Sequence, residues 1–379
     1  MLVSLQSMLI DGLLIFFTSI FFILIVKSNA QKLHLIDIPN NRSSHSTPTP
    51  RGAGIAVFLS FFIIILLFHR EFLYQYISFF ISLFIVFAIG VYDDINNISA
   101  KSKLLIISVA SLIVFMYGDF QINNIGNWFG YEVTLPYIVS LLFTIFAIVG
   151  FTNALNLIDG IDGLAGSISF VILSSLLYIG LIYNDQFIIV TTFFILLSIL
   201  AFLLFNWYPA SIFMGDSGSL VLGFIISIVS IRAINYISDT VILFITAIPI
   251  IDTIIVMTRR LQRGVSPFSP DKSHIHHKII NFKKSMDVTV HIIIALQILL
   301  STIGLLLKDK SDAINFSLFL IILFLFFHIF DDRVELRDEL FTTKIKRLYI
   351  DKIKCVTKCR SIYIVIIILI LLFVIRLFF

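Results

Sequence analysis

The sequence predicts an all-α polytopic membrane protein of about 11–12 transmembrane helices, with its functional loops gathered on one membrane face. Three observations predict it. Hydrophobic residues make up 59% of the 379-residue chain and charged residues 13%, about half the charge of an ordinary soluble domain; the mean hydropathy is +1.05. Apolar runs long enough to cross a bilayer recur along the whole chain. No period-two alternation accompanies them, as a membrane barrel requires. The lipid bilayer is the expected setting, and no nucleic-acid partner is expected.

The first span, 8–27, has no basic residue before Lys27, so it lacks the charged start of a signal peptide and reads as a retained helix. Spans at 53–69 and 72–92 follow, the second leading into Asp93 and Asp94, and then 103–119 and 135–152. Two long runs, 162–183 and 186–205, meet at a short connector. Runs at 219–237, 239–257, 288–307, 312–330 and 361–379 complete twelve. Residues 1–330 read as one integral-membrane domain, and 331–379 as a basic cytoplasmic segment with an extra C-terminal span. Cys355 and Cys359 lie four apart in that segment, a spacing that suits reduced thiols or acylation rather than a metal site.

Lys and Arg set the orientation. All but five of the 27 fall in the loop after the first span and in every second loop after it; the exceptions are Arg70, Arg232, Lys308, Lys310 and Arg376. The positive-inside rule makes that side cytoplasmic and puts the N-terminus outside. Every patterned polar loop falls on the same side: "DIPNNRSSHSTPTPRGAG" (37–54), "YDDINNISAKSK" (92–103), "NALNLIDGIDG" (153–163), "FNWYPASIFMGDSGS" (205–219) and "RRLQRGVSPFSPDKSHIHHK" (259–278). The loop at 120–134 on the other side reads as turns with an interfacial Trp.

These five loops hold groups suited to phosphate chemistry. Asp93 and Asp94 repel each other and the C-terminal dipole of their own helix, so they call for a cation or a proton. Lys103 opens the next span and can return a positive charge to the same mouth. Asp159 and Asp162 precede a helix, where capping is the plain reading; Asn153 and Asn156 need another explanation. Asp216, in a Gly- and Ser-rich turn, is a hard anionic ligand suited to Mg²⁺, which accepts one or two carboxylates and completes its shell with water and phosphate. Phe213 can stack on a base or fill a core. Asn206 offers the paired donor and acceptor that read a pyrimidine edge. His274, His276 and His277 do not share one helical face and have no Cys beside them, which favours an anion site over zinc. Arg259, Arg260 and Arg263 read either as phosphate donors or as solvated juxtamembrane residues. Asp252 sits inside a span, where an ion pair with Arg259 or Arg260 is the simplest account, and Arg232 reads as snorkelling.

Taken in order, "DIPNNRSSHSTPTPRGAG", Asp93-Asp94 with Lys103, "NALNLIDGIDGLAG", "FNWYPASIFMGDSGSLVLG" and "PDKSHIHH" resemble the polyprenyl-phosphate N-acetylhexosamine-1-phosphate transferases of glycosyltransferase family 4, over about residues 37–280. The resemblance implies a Mg²⁺-dependent enzyme, with Mn²⁺ as a substitute, in the bacterial plasma membrane. Such an enzyme moves N-acetylhexosamine-1-phosphate from a UDP-sugar to undecaprenyl phosphate and releases UMP. It also implies roles: Asp93, Asp94, Asp216, His276 and His277 in catalysis, and Asn156 with Asp216 at the metal. Arg51, Lys103, Asn153, Asp159, Asp162, Asn206, Phe213, Arg263 and His274 fall to the substrates. His-Ile-His-His after Pro-Asp-Lys resembles the branch that starts O-antigen and similar surface polymers; the muramoyl-pentapeptide branch, with three consecutive His, is the alternative. A lipid-linked-sugar transporter is a further alternative, but transporters place ionisable groups near the midplane. The resemblance leaves room for a homodimer. "RGAG" carries Ala53 where the family usually has Gly, and 331–379 lies beyond the match.

Overall fold

The computed structural model describes residues 5–39, 47–267, 273–283 and 285–330. The expected span at 361–379, the basic segment before it, and Cys355 and Cys359 lie outside these residues. The described chain is helical almost throughout, as it must be in lipid, where each backbone N–H and C=O has to find a partner within the protein.

The elements run in order α1 (Leu5–Asn29), β1 (Ile36–Asp37), β2 (Thr49–Pro50), α2 (Ala53–Phe68), α3 (Arg70–Gln75), α4 (Ile77–Asn96), α5 (Ala100–Tyr117), β3 (Asn124–Trp128), β4 (Tyr131–Thr134), α6 (Tyr137–Ile158) and α7 (Leu164–Tyr183). They continue with α8 (Gln186–Asn206), α9 (Asp216–Ala233), α10 (Asp239–Ile245), α11 (Ala247–Gln262), α12 (Ile275–Lys283), α13 (Met286–Leu306) and α14 (Asp312–Ile329). Among the described residues 9 helices are long and apolar enough to cross a membrane, and α10 with α11 forms a broken pair bent by 83°. The chain divides into two compact units, Met1–Lys308 and Asp309–Phe379. The described part of the second contains α14, an apolar helix of spanning length.

Several elements depart from the sequence reading. The straight span expected at 239–257 is the broken α10–α11 pair, and the one at 72–92 is interrupted at Tyr76, between α3 and α4. Apolar content alone does not reveal such breaks. Helix α6 continues to Ile158, so Asn153 and Asn156 belong to its last turns rather than to a loop. The 120–134 loop is a hairpin of β3 and β4, closed by Phe129 and Gly130, both at positive φ. Arg232 does not snorkel; its Nε donates to buried Asp185 at 2.7 Å, and the Tyr236 hydroxyl donates to the same oxygen. His69 pairs with Asp11 at 2.9 Å.

Helix α9 is the axis of the first unit, packed against α2, α4, α6, α7 and α8. Small residues make this possible, because without a hydrophobic force between helices in lipid, close backbone approach does the packing. A Cβ on Gly54 of α2 would lie 2.0 Å from the backbone nitrogen of Gly218 in α9. With α9 central and antiparallel to α4 and α6, its N-terminus meets their C-termini at one end of the bundle. The hairpin, Asp185 with Arg232, and His69 with Asp11 occupy the other.

Candidate active site

Four helix ends build the centre of the site. A tight turn after α4 carries Asn97 at φ 49, and the Ser99 side chain caps α5 by accepting from Ser102 N. This folds Lys103, one turn into α5, back over the end of α4. Its Nζ donates to Asp93 Oδ2 at 3.0 Å and to Asp216 Oδ2 at 2.6 Å. From the last turn of α6, Asn156 Nδ2 donates to Asp216 Oδ1 at 3.0 Å and to Ser219 Oγ at 2.8 Å. Asp93, Lys103, Asn156 and Asp216, spread over 124 residues of sequence, thus share one hydrogen-bonded cluster. Ser219 joins it without having been read from the sequence, since one Ser in a Ser-rich turn gives no distinguishing signal.

Asp93 and Asp94 escape mutual repulsion by facing different partners. Asp93 Oδ1 accepts from Ile98 N at 2.6 Å while Oδ2 faces Lys103. Asp94 turns into the core and caps the neighbouring helix, accepting from Asp216 N at 2.8 Å and Ser217 N at 3.0 Å. These are unpaired N–H groups of the first turn of α9, where a carboxylate is favoured by both hydrogen bonding and the dipole. Gly215, at φ 74, admits the cap: a Cβ there would lie 2.6 Å from Asp94 Oδ2.

The Asn-Asp-Gly turn is tied to the loop before α9. Asp162 Oδ2 accepts from Ala210 N at 2.9 Å. Asn206, buried at the end of α8, accepts from Gly163 N at 2.9 Å and donates to Ile212 O at 3.0 Å. Both ends of its amide therefore hold main chain, a correction to the reading in which they are free to meet a base. Nor do Asp159 and Asp162 cap α7, whose N-cap is Gly163 with no side-chain bond. Burial, then the nearby carboxylates of Asp216, Asp94 and Asp162, push the Asp159 carboxyl up to about 7. Asn153, one turn before Asn156, makes no side-chain hydrogen bond among the described residues. Half-buried Phe213 is held by its backbone, with its N donating to Pro50 O and its O accepting from Ala53 N. That pairing brings Arg51 alongside, its Nε buried without a partner among the described residues.

The His segment is gathered at α12. Rings of His274 and His276 lie 5.6 Å apart at 15°, and those of His276 and His277 lie 4.3 Å apart. They differ in environment. His274 Nδ1 pairs with Asp252 Oδ2 at 2.7 Å, and Ile275 N donates to Asp252 Oδ1 at 2.7 Å. Asp252 therefore pairs with His274 rather than with the arginines expected from sequence. His276 is 2% exposed, and neither ring nitrogen has a hydrogen-bond partner among the described residues. Burial pushes its pKa down to about 3, helped by His277 and His274 and opposed by Asp252, so the ring is neutral at pH 7. Its Nε2 faces the acidic turn, 2.7 Å from where a Cβ on Gly160 would be. Arg259 and Arg260 are buried, not solvated, and donate to Ser273 O at 3.3 Å and Pro267 O at 2.6 Å. Arg263 is exposed past the last turn of α11.

The donors fit a hard divalent cation. Asp216 and Ser219 at the start of α9 meet Asn156 at the end of α6, three oxygen-bearing groups, with Asp93, Asp94 and Asp162 adding negative charge around them. Among the described residues no group of three or more His, Cys, Asp or Glu forms a cage for a metal. Mg²⁺ needs only one or two protein oxygens and takes the rest from water and phosphate, and Asp216 with Asn156 could supply that number. Among the described residues the buried Arg51 Nε and both His276 ring nitrogens have no hydrogen-bond partner, and His276 Nε2 faces Gly160 of the acidic turn.

Comparisons with known proteins place the sequence among known families. The family model described as "Glycosyl transferase family 4" matches residues 76–234, a stretch running from α4 to the end of α9. A Bacillus subtilis (strain 168) protein described as "Probable undecaprenyl-phosphate N-acetylglucosaminyl 1-phosphate transferase" is 33% identical over 320 residues, covering 80% of this chain and 85% of that protein. An "Undecaprenyl-phosphate alpha-N-acetylglucosaminyl 1-phosphate transferase" of Escherichia coli (strain K12) is 29% identical over 335 residues, covering 84% and 88%. The Salmonella typhi protein of the same description is 30% identical over 281 residues, covering 70% and 74%.

Proposed function

The chain belongs to glycosyltransferase family 4, in its undecaprenyl-phosphate N-acetylglucosaminyl 1-phosphate transferase-like branch, and from that premise we propose that it transfers N-acetylglucosamine-1-phosphate from UDP-N-acetylglucosamine to undecaprenyl phosphate, the first reaction in building a cell-surface polysaccharide. An oxygen of the lipid phosphate attacks the β-phosphorus of the nucleotide sugar. The bond from that phosphorus to the bridging oxygen breaks, and UMP leaves. The observation that carries this reading is the Asp93–Lys103–Asp216–Asn156 cluster at one end of the bundle.

Phosphoryl transfer is mainly positioning and charge neutralisation, and the chain divides that work. Asp216 and Asn156 would hold Mg²⁺, with Ser219 beside them; when bound, the ion neutralises charge on the diphosphate. Lys103 keeps Asp93 and Asp216 together and supplies a positive charge at the mouth where the lipid phosphate arrives, with Asp93 orienting that phosphate. Asp162 and Asn206 lock the loop that presents Phe213 to the nucleobase. Arg51, His276, His277 and Arg263 donate to phosphate and sugar oxygens. The neutral His276 ring has one N–H and one lone pair, suited to a hydroxyl or phosphate oxygen.

Charged UDP-sugars are made in the cytosol and do not cross a bilayer unaided, so the site end of the bundle faces the cytoplasm of a bacterial plasma membrane, with the N-terminus outside. The Lys and Arg asymmetry supports the same orientation. The test is to incubate membranes holding the protein with Mg²⁺, undecaprenyl phosphate and radiolabelled UDP-sugars, including UDP-N-acetylglucosamine and UDP-N-acetylmuramoyl-pentapeptide. Label should enter the lipid phase from the first and not from the second. Transfer of the pentapeptide sugar would move the chain to the other branch, and no transfer from any donor would end the reading.

A further inference from the structure

The proposed function leaves the most deeply buried carboxylate among the described residues, Asp252, unused. Asp252 is 1% exposed on α11, inside a segment that reads as part of a span, where an unpaired charge is costly. Both its oxygens are occupied at short distance by one short stretch of chain: His274 Nδ1 and Ile275 N, each at 2.7 Å. The first contact fixes the orientation of the His274 ring. The second satisfies the first backbone N–H of α12, which no residue of that helix can do.

Helix α11 is itself fixed in place. Its 83° break from α10 at Thr246 leaves Ile245 O and Ile248 N without helical partners. Gln297, fully buried on α13, supplies both: its Nε2 donates to Ile245 O at 2.7 Å and its Oε1 accepts from Ile248 N at 3.0 Å. One side-chain amide thus splints the break. Further along α11, Arg259 and Arg260 hold the Ser273 and Pro267 carbonyls. The bent helix grips the His segment from several points, and Asp252 is the grip at its tip.

That tip bears on the active site through stacked rings. His274 stacks on His276, whose unpartnered Nε2 faces Gly160 in the acidic turn. We propose that Asp252 is a positioning residue for the nucleotide-sugar site: it clamps His274 and the N-terminus of α12 so that His276 is presented to the substrate diphosphate or sugar. Without the clamp α12 is free to turn about its own start, and the His276 ring moves away from Gly160. This inference rests on the transferase reading and adds to it a residue that never touches substrate.

The experiment is a binding cycle on the full-length protein in nanodiscs, with UDP-N-acetylglucosamine as the probe. Asp252→Asn keeps the shape but offers one acceptor oxygen to two donors. It should weaken binding about tenfold, or about 1.4 kcal/mol, with the thermal midpoint little changed. In a His276→Ala background the same substitution should change affinity less than about twofold, because coupled residues are non-additive. From the other side of the bond, His274→Ala should reproduce the loss. His274→Asn, whose amide N–H stands where Nδ1–H stood, should restore most of it. This second pair carries the test if the Asp252 variant does not fold. Wild-type affinity in folded Asp252→Asn, independent effects in the cycle, or no rescue by Asn at 274 overturns the proposal while leaving the transferase reading intact. A wild-type protein that neither binds the nucleotide sugar nor transfers from it overturns both.

Discussion

Adjacent side chains at this site do different work, and substitutions should separate them. Asp94 is buried and accepts from two backbone N–H groups of α9; Asp94→Ala leaves both unsatisfied, at a cost of roughly 1–3 kcal/mol for each buried donor. A lower thermal midpoint and lost transfer should appear together. Asp93→Asn retains an oxygen for Ile98 N but loses its charge beside Lys103, so transfer should fall about a hundredfold or more with the midpoint nearly unchanged. Asp159 and His276 make opposite pH predictions. The Asp159 carboxyl is raised to about 7 in the folded protein, so its contribution is fully present below pH ~4 and is lost as pH rises through about 7. The His276 ring is lowered to about 3, so its contribution is present above pH ~6.5 and is lost as pH falls. Thermal midpoints from pH 4.5 to 7.5 should show Asp159→Asn gaining on wild type toward the alkaline end and His276→Asn gaining toward the acid end. Parallel curves for either variant would contradict the environment assigned to that residue.

Helix α2 gives an element-scale test, because its contact with α9 is backbone against backbone. Gly54→Ala would put a methyl 2.0 Å from Gly218 N, and backbone cannot yield as a side chain does. Overpacking of this kind typically costs about 1–3 kcal/mol and here should reach the upper end. Since Gly54 N and Ala53 N bond to the Met214 and Phe213 carbonyls, the loop bearing Phe213 should shift with α2 and transfer should fall as well. Gly150→Ala on α6, where a Cβ meets nothing within 4 Å, is the control and should be neutral or slightly stabilising. What the sequence disclosed follows the same physics. Long apolar runs report helices because lipid permits little else, and the carboxylates stood out because charge is rare in such a chain. Lys103 could be placed near Asp93 because a ten-residue spacing spans a tight turn between antiparallel helices. The break at Thr246 has a local sign in Pro249, which lacks the N–H that Ile245 O would accept, but its splint by Gln297, about fifty residues away, is encoded in no local pattern. Asn206 is ambiguous for a similar reason: an amide that ties two turns together looks, in one dimension, like an amide free to meet a base. Asp252 was conspicuous by its burial cost, but His274, an element away, proved to be the partner instead of the nearer arginines.

At the scale of the whole molecule the decisive property is which way the bundle faces. The two ends differ: one gathers the acidic bowl, Lys103 and the His segment, and the other has the β3–β4 hairpin with Phe129 87% exposed at its tip. The proposed cytosolic donor calls for the first end inside, and the positive-inside rule applied to Lys and Arg predicts the same. Orientation is open to direct measurement in a chain with two cysteines, Cys355 and Cys359, once both are replaced by Ser. In that background Lys101→Cys, at an exposed position at the start of α5, should react with a membrane-impermeant maleimide in inverted vesicles and not in intact spheroplasts. Phe129→Cys should show the reverse. Retained transfer by both variants makes the labelling a statement about the active orientation. Labelling of position 101 from outside would turn the Asp93–Asp216 cluster away from the nucleotide-sugar pool, and a transferase so placed could not draw on its donor.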